Sequence, residues 1–121
     1  MKKILLVDDE KEFVEMVTIR LEARGFKVIS AFDGDEAVKA VEREKPDLIL
    51  LDLLMPKVSG FEVCKKLKED DRFKNIPIII LSGLGQREDI EKTKALGVDS
   101  YFIKPLEIED LVVEINKKVG S

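Results

Sequence analysis

The sequence contains no histidine and no tryptophan, and it has one cysteine, Cys64, and one tyrosine, Tyr101. Each absence removes a class of chemistry. Without histidine there is no Ser–His or Cys–His catalytic pair and no imidazole to ligate a metal. A single thiol cannot form an intramolecular disulfide, which fits a reducing compartment and predicts a cytoplasmic protein. No apolar run approaches the length of a membrane span, and no leader precedes the first predicted strand, so no membrane partner is expected. Basic residues do not predominate: 21 Lys and Arg stand against 25 Asp and Glu, for a net charge of −4. That balance lacks the electrostatic footprint of a direct nucleic-acid binder.

What is present is a chain of 121 residues, 45% hydrophobic and 38% charged. This is the size and composition of one globular domain with a highly charged surface. A chain this long buries roughly two thirds of its unfolded surface, so its core needs no disulfide or metal.

The stretch from Pro46 to Gly60 organises the rest. Leu48, Ile49, Leu50 and Leu51 run unbroken between Pro46-Asp47 and the loop holding Pro56 and Gly60. An uninterrupted apolar run of this length reads as a strand buried on both faces. Asp52 follows it. Alone, that acid reads more readily as a loop acid that caps or solvates the strand end than as a reactive carboxylate. The remaining strands decide between them.

Similar short runs occur at Ile4–Val7 and Ile76–Leu81, with more polar ones at Phe26–Ser30 and Ser100–Ile103. Between them lie stretches of helical periodicity. One spans Lys11–Arg24, with Phe13, Val14, Val17 and Leu21 in phase and Gly25 as its stop. Another spans Asp35–Glu44, with Ala37, Val38 and Val41 facing in. A third, about Gly60–Glu69, has Phe61, Cys64 and Leu67 on one face. The stretch about Gln86–Leu96 has a thin apolar face around Ile90, and the predicted loop Asp70–Asn75 is polar. The last helix carries Ile108, Leu111, Val112, Ile115 and Val119. Strand and helix alternate throughout, which predicts an α/β fold with a parallel sheet covered by helices on both faces. Purely apolar strands belong in the centre and polar ones at the edges. The doubly wound (βα)5 order 2-1-3-4-5 satisfies this, with its switch point between strands 1 and 3.

In such a sheet the residues after the strands meet in one crevice. They are Asp8 and Asp9 after the first strand, Asp52 after the third, Ser82 after the fourth and Lys104 after the fifth. Carboxylates crowded together repel unless a cation intervenes. Lys104 is one candidate; a hard divalent ion such as Mg2+ is the other. Helix capping by Asp8-Asp9-Glu10 or by Ser82, and a solvated Lys104, explain each position singly but not their convergence.

In that arrangement the sequence resembles the response-regulator receiver domain of two-component signalling. The matched pieces are Ile4-Leu5-Leu6-Val7-Asp8-Asp9-Glu10, Asp47 through Pro56, Ser59-Gly60, Pro77 through Gly83, Ala95 through Asp99 and Tyr101-Phe102-Ile103-Lys104-Pro105. They cover essentially the whole chain, which the resemblance presents as a single receiver domain, residues 1–121, without an output domain. The resemblance implies that Asp52 is a phosphoacceptor, taking its phosphoryl group from a phosphohistidine on a sensor histidine kinase or a histidine phosphotransfer protein. It implies Mg2+ held by Asp9 directly, by Asp8 largely through water, by Asp52 and by the backbone carbonyl of Leu54. Lys104 would pair with the phosphoryl oxygens, beside a Lys104-Pro105 bond expected to be cis. Ser82 would donate to the phosphoryl group while Tyr101 changes rotamer, altering the face made by the last two helices and the last strand. The implied protein is a switch rather than a turnover enzyme, and a monomer or a weak, phosphorylation-dependent dimer with an unknown downstream partner.

One departure concerns the residues two after Asp52 and two after Ser82, Leu54 and Leu84. In the family these positions influence hydrolysis of the phosphoryl group, and two leucines should exclude water and slow it. Leu54 also bears on one alternative, an aspartyl-nucleophile phosphohydrolase, which would need a second Asp there. A flavin or nucleotide module of the same fold would need a glycine- or hydroxyl-rich phosphate loop where Asp8-Asp9-Glu10 stands. A pure interaction scaffold needs none of the crevice residues.

Overall fold

The computed structural model describes residues 1–120. The elements are β1 (Lys3–Val7), α1 (Lys11–Glu22), β2 (Lys27–Ala31), α2 (Gly34–Glu44), β3 (Leu48–Leu51), α3 (Gly60–Lys68), β4 (Ile78–Ser82), α4 (Arg87–Ala95), β5 (Ser100–Ile103) and α5 (Ile108–Val119). The strands form one parallel sheet in the order β2-β1-β3-β4-β5. The apolar strands β1, β3 and β4 occupy its centre, as their sequences require.

Period-two alternation along these strands divides the core into two layers. Leu5, Val7, Ile49, Leu51, Ile78 and Ile80 pack against α2 and α3 through Ala37, Ala40, Val41, Val63, Cys64 and Leu67. Ile4, Leu6, Leu48, Leu50, Ile79 and Leu81 point the other way, onto Val14, Val17 and Leu21 of α1 and Ile108, Leu111 and Ile115 of α5. Complete burial of this many aliphatic side chains is the main stabilising contribution, at about 25 cal/mol per Å² of apolar surface.

Local signals set the boundaries. Gly25 has φ of +89°, and Phe26 donates its N–H back to Leu21, closing α1. Asp33 caps α2 by accepting from Glu36 N at 2.8 Å. Gly60 opens α3 so close to the end of β3 that a Cβ would collide with the Asp52 carbonyl and Leu53 Cα. The Lys104-Pro105 bond is cis.

Several details differ from the periodicity. β2 runs one residue later than predicted, and β4 starts at Ile78, after Pro77, and extends through Ser82. The buried face of α3 is Gly60, Val63, Cys64 and Leu67. Phe61 packs at the margin of that face, half-buried, with the Lys92 ammonium 4.2 Å from its ring centroid. The loop after α3 is not wholly polar on the inside, since Phe73 is buried in it. The only buried residue of α4 is Thr93, whose hydroxyl donates to the Ile90 and Asp89 carbonyls of its own helix. Among the described residues no helix is long and apolar enough to cross a membrane.

Candidate functional site

The sheet's hydrogen-bond ladder continues one residue past each relevant strand. Asp8 N donates to Ala31 O at 3.1 Å, Asp52 N to Val7 O at 2.9 Å and Lys104 N to Ser82 O at 2.9 Å. The sheet therefore fixes the backbone of Asp8, Asp52 and Lys104 although each lies just past its strand, and Ser82 is itself the last residue of β4. All four side chains face the rim between β1, β3, β4 and β5.

There they meet. The Lys104 ammonium donates to Asp8 Oδ2 at 2.6 Å and lies 3.9 Å from Asp52 Oδ2. Asp8 is 1% exposed, Asp52 4% and Ser82 0%. The second oxygen of Asp8 accepts from Glu10 N at 2.9 Å, and Asp52 Oδ1 accepts from Leu54 N at 3.4 Å. Ser82 Oγ accepts from Leu84 N at 3.2 Å. The Tyr101 hydroxyl donates to the Leu84 carbonyl, tying β5 to the loop that follows Ser82.

Burial dominates the electrostatics. Withdrawal from water raises the Asp8 carboxyl above its ordinary range, against the opposing pull of Lys104. Asp52 is likewise raised, by burial and then by the neighbouring Asp8 charge, with Lys104, Leu54 N and Ser82 opposing. For Lys104, burial works against the charge, but the hydrogen bonds to Asp8 and Glu10 outweigh it and raise the ammonium's pKa. Two buried acids and one ammonium leave the site short of positive charge, the condition under which a divalent cation binds carboxylate oxygens.

Of the residues the sequence nominates, Asp8, Asp52, Ser82 and Lys104 come together. Asp9 does not join them in this state: its side chain is exposed, and the carboxylates whose oxygens lie within 4.8 Å of one another are Asp8, Glu10 and Asp52. In this turn Asp8 Oδ1 accepts from Glu10 N, and the Glu10 carboxylate, though itself largely exposed, reaches the Lys104 ammonium at 3.0 Å. The sequence offered Glu10 only as part of an acidic run, and nothing in its residue type distinguishes it from Asp9. The Leu54 side chain stands at the mouth, 57% exposed.

The sequence profile of the response regulator receiver domain family matches residues 4–116. The chain is similar to the alkaline phosphatase synthesis transcriptional regulatory protein PhoP of Bacillus subtilis, with 42% identity over 99% of this chain and 48% of that protein. It is 39% identical to the phosphate regulon transcriptional regulatory protein PhoB of Escherichia coli, over 94% of this chain and 50% of that protein. The chain thus spans about half the length of the curated relatives it matches. Among solved structures it superposes with a TM-score of 0.90, at 28% identity, on the receiver domain of a sensor histidine kinase from Pseudomonas aeruginosa with magnesium coordinated in its active-site cleft, covering 99% of this chain and 98% of that one.

Proposed function

The chain belongs to the response regulator receiver domain family, and on that premise we propose that Asp52 is its phosphoacceptor, charged by a phosphohistidine on a separate sensor kinase or phosphotransfer protein. The observation that carries the reading is the seating of Lys104 between Asp8 and Asp52, 2.6 Å from one and 3.9 Å from the other. A carboxylate that must attack an anionic donor needs fixed positive charge on both partners.

In the proposed reaction an Asp52 carboxylate oxygen attacks phosphorus. The bond to the donor's imidazole nitrogen breaks, its electron pair leaves with the ring, and an acyl phosphate remains on Asp52. Lys104 sits where it can pair with the incoming phosphoryl oxygens. Ser82, fully buried beside Asp52, can turn its hydroxyl from the Leu84 N–H toward the new oxygens. The Tyr101–Leu84 hydrogen bond then couples that movement to β5 and α4. α4 is lightly anchored, with Thr93 its one buried residue, which suits an element that shifts between two positions.

Asp8 and Asp52 are the residues that would hold Mg2+. Their burial, and the nearness of a third carboxylate, fit a hard cation that retains some of its waters. Asp9 would join as a ligand by turning its exposed side chain inward, with the Leu54 carbonyl supplying a further oxygen. Bound there, the ion would neutralise charge on the phosphoryl group as it transfers. The chain then acts as a switch rather than as an enzyme that turns over a substrate. Leu54, where a hydrolase of similar chemistry needs a second acid, favours that reading.

The test is incubation with acetyl phosphate and Mg2+, read by intact mass. The wild type gains one phosphoryl group; Asp52→Ala gains none, and neither does wild type with the metal chelated. Equal labelling of Asp52→Ala would remove Asp52 from its role.

A further inference from the structure

The Lys104 ammonium has more partners on the α1 side of the crevice than binding a phosphoryl group requires. Besides Asp8, it donates to Glu10 Oε1 at 3.0 Å, nearer than Asp52 at 3.9 Å. It also stands 4.2 Å from the Phe13 ring centroid, within cation–π range. Glu10 and Phe13 both belong to the entry of α1. Glu10 occupies the N-cap position, yet its side chain makes no capping hydrogen bond. Its carboxylate is given to Lys104 instead of to the helix.

We propose that Glu10 is a positioning residue for Lys104, drawing the ammonium toward α1 and away from Asp52 while that carboxylate is unmodified. The inference rests on Asp52 being the phosphoacceptor and extends that reading to the resting state. A lysine ammonium on its flexible four-carbon stem redistributes among whatever anions it can reach. With the Glu10 carboxylate in place, Lys104 is shared between Asp8 and the rim. Without that side chain, the next carboxylate within reach is Asp52. An ammonium seated on Asp8 and Asp52 occupies the oxygens a divalent ion needs and competes with it. Glu10 therefore keeps the phosphoacceptor open to metal, and it must release Lys104 when phosphoryl oxygens appear.

The competing explanation is that Glu10 is itself a metal ligand, since its oxygen lies within the same 4.8 Å group. A double-mutant cycle separates the two. Mg2+ binding is measured by calorimetry in wild type, Glu10→Gln, Lys104→Met and the double variant, with Glu12→Gln as a control that removes the same charge from the first turn of α1. Positioning predicts that Glu10→Gln weakens Mg2+ binding about two- to fivefold, the range a partly exposed ion pair supports. It predicts that Lys104→Met tightens binding, that Glu10→Gln has no further effect in the Lys104→Met background, and that Glu12→Gln changes nothing. The Lys104 ammonium resonance should shift in Glu10→Gln and not in Glu12→Gln. Undiminished weakening by Glu10→Gln in the Lys104→Met background would make Glu10 a ligand and overturn the proposal. So would an unchanged affinity in the single variant. Because this cycle reads metal binding alone, its failure in a protein still labelled at Asp52 sinks the Glu10 role and leaves the phosphoacceptor standing. The full coupling in a protein that acetyl phosphate cannot label does the reverse.

Discussion

Lys104 and Asp8, separated by 96 positions in the chain, are joined by a 2.6 Å charge-assisted hydrogen bond, with Asp8 almost wholly out of water. The pair ties the end of β5 to the end of β1 across the two strands between them. Removing one partner of a buried pair strands the other charge. Lys104→Met is therefore expected to lower stability at neutral pH by about 3 kcal/mol, read as a fall in the urea midpoint. Adding Asp8→Asn should recover most of the loss. Labelling of Asp52 by acetyl phosphate should persist in Lys104→Met, at a reduced rate, while the conformational response weakens.

Asp52 carries the opposite stability signature to a surface acid. Its folded-state pKa is raised, mainly by burial and next by Asp8, so the native state holds the proton more tightly than the unfolded chain. Stability of the metal-free protein then falls as pH rises from the ordinary carboxylate range through the raised value, and the full penalty applies above it. Asp52→Asn removes that penalty. The variant should be more stable than wild type at pH 7 without metal, and the gap should close as pH falls to the range where an ordinary Asp is protonated. Thermal melts across that range, in chelator, check the sign. A variant less stable than wild type at pH 7 would contradict the account.

The architecture was legible because its signals are redundant. Ile4–Val7, Leu48–Leu51 and Ile78–Leu81 are apolar at every position, which only a strand covered on both faces tolerates, and that property orders the sheet. The strand-end residues Asp8, Asp52, Ser82 and Lys104 followed from the order. What the sequence concealed depends on side-chain direction over one or two residues. Asp9 and Glu10 are both acids, and nothing in their residue types says which of the two reaches Lys104; in the fold it is Glu10. Phe61 and Val63 are both apolar and both on α3; the rotation fixed by Gly60 against the β3 end buries Val63 and leaves Phe61 at the margin. Phe73 lies in a run of charged residues whose polarity hid a buried ring.

Backbone strain at the end of α2 yields a prediction remote from the site. Lys45 follows the helix in the left-handed region, with φ of 46° and ψ of 63°, while its N–H donates to Val41 O at 3.0 Å. That conformation costs a residue with a Cβ roughly 1 kcal/mol relative to glycine. Lys45→Gly should raise stability by up to about that amount, with part offset by the greater freedom of glycine in the unfolded chain. The urea midpoint should rise with an unchanged slope.

Cys64 is expected to be chemically silent in the folded protein. It lies wholly buried in α3 against the β1–β3 layer, and burial pushes its thiol up to about 12. The thiolate is the reactive form, so a thiol reagent at pH 8 should not modify the native chain over a time in which the urea-unfolded chain is fully labelled. Rapid native labelling would show that α3 opens far more readily than its packing implies.

The lifetime of the phosphorylated form turns on Leu54 and Leu84. Hydrolysis needs a water aligned with the acyl phosphate, and alignment requires a hydrogen-bonding group nearby. Leu54 stands at the mouth of the crevice, and the Leu84 backbone is already engaged, its N–H by Ser82 and its carbonyl by Tyr101. Neither leucine side chain can hold such a water. The phosphorylated protein should therefore persist well beyond seconds in Mg2+ at neutral pH. Leu54→Asn supplies an amide at the same position and should shorten that lifetime several-fold, without altering the site of labelling. Decay within seconds in the wild type, or no change on Leu54→Asn, would mean that water reaches phosphorus by a path these two side chains do not control.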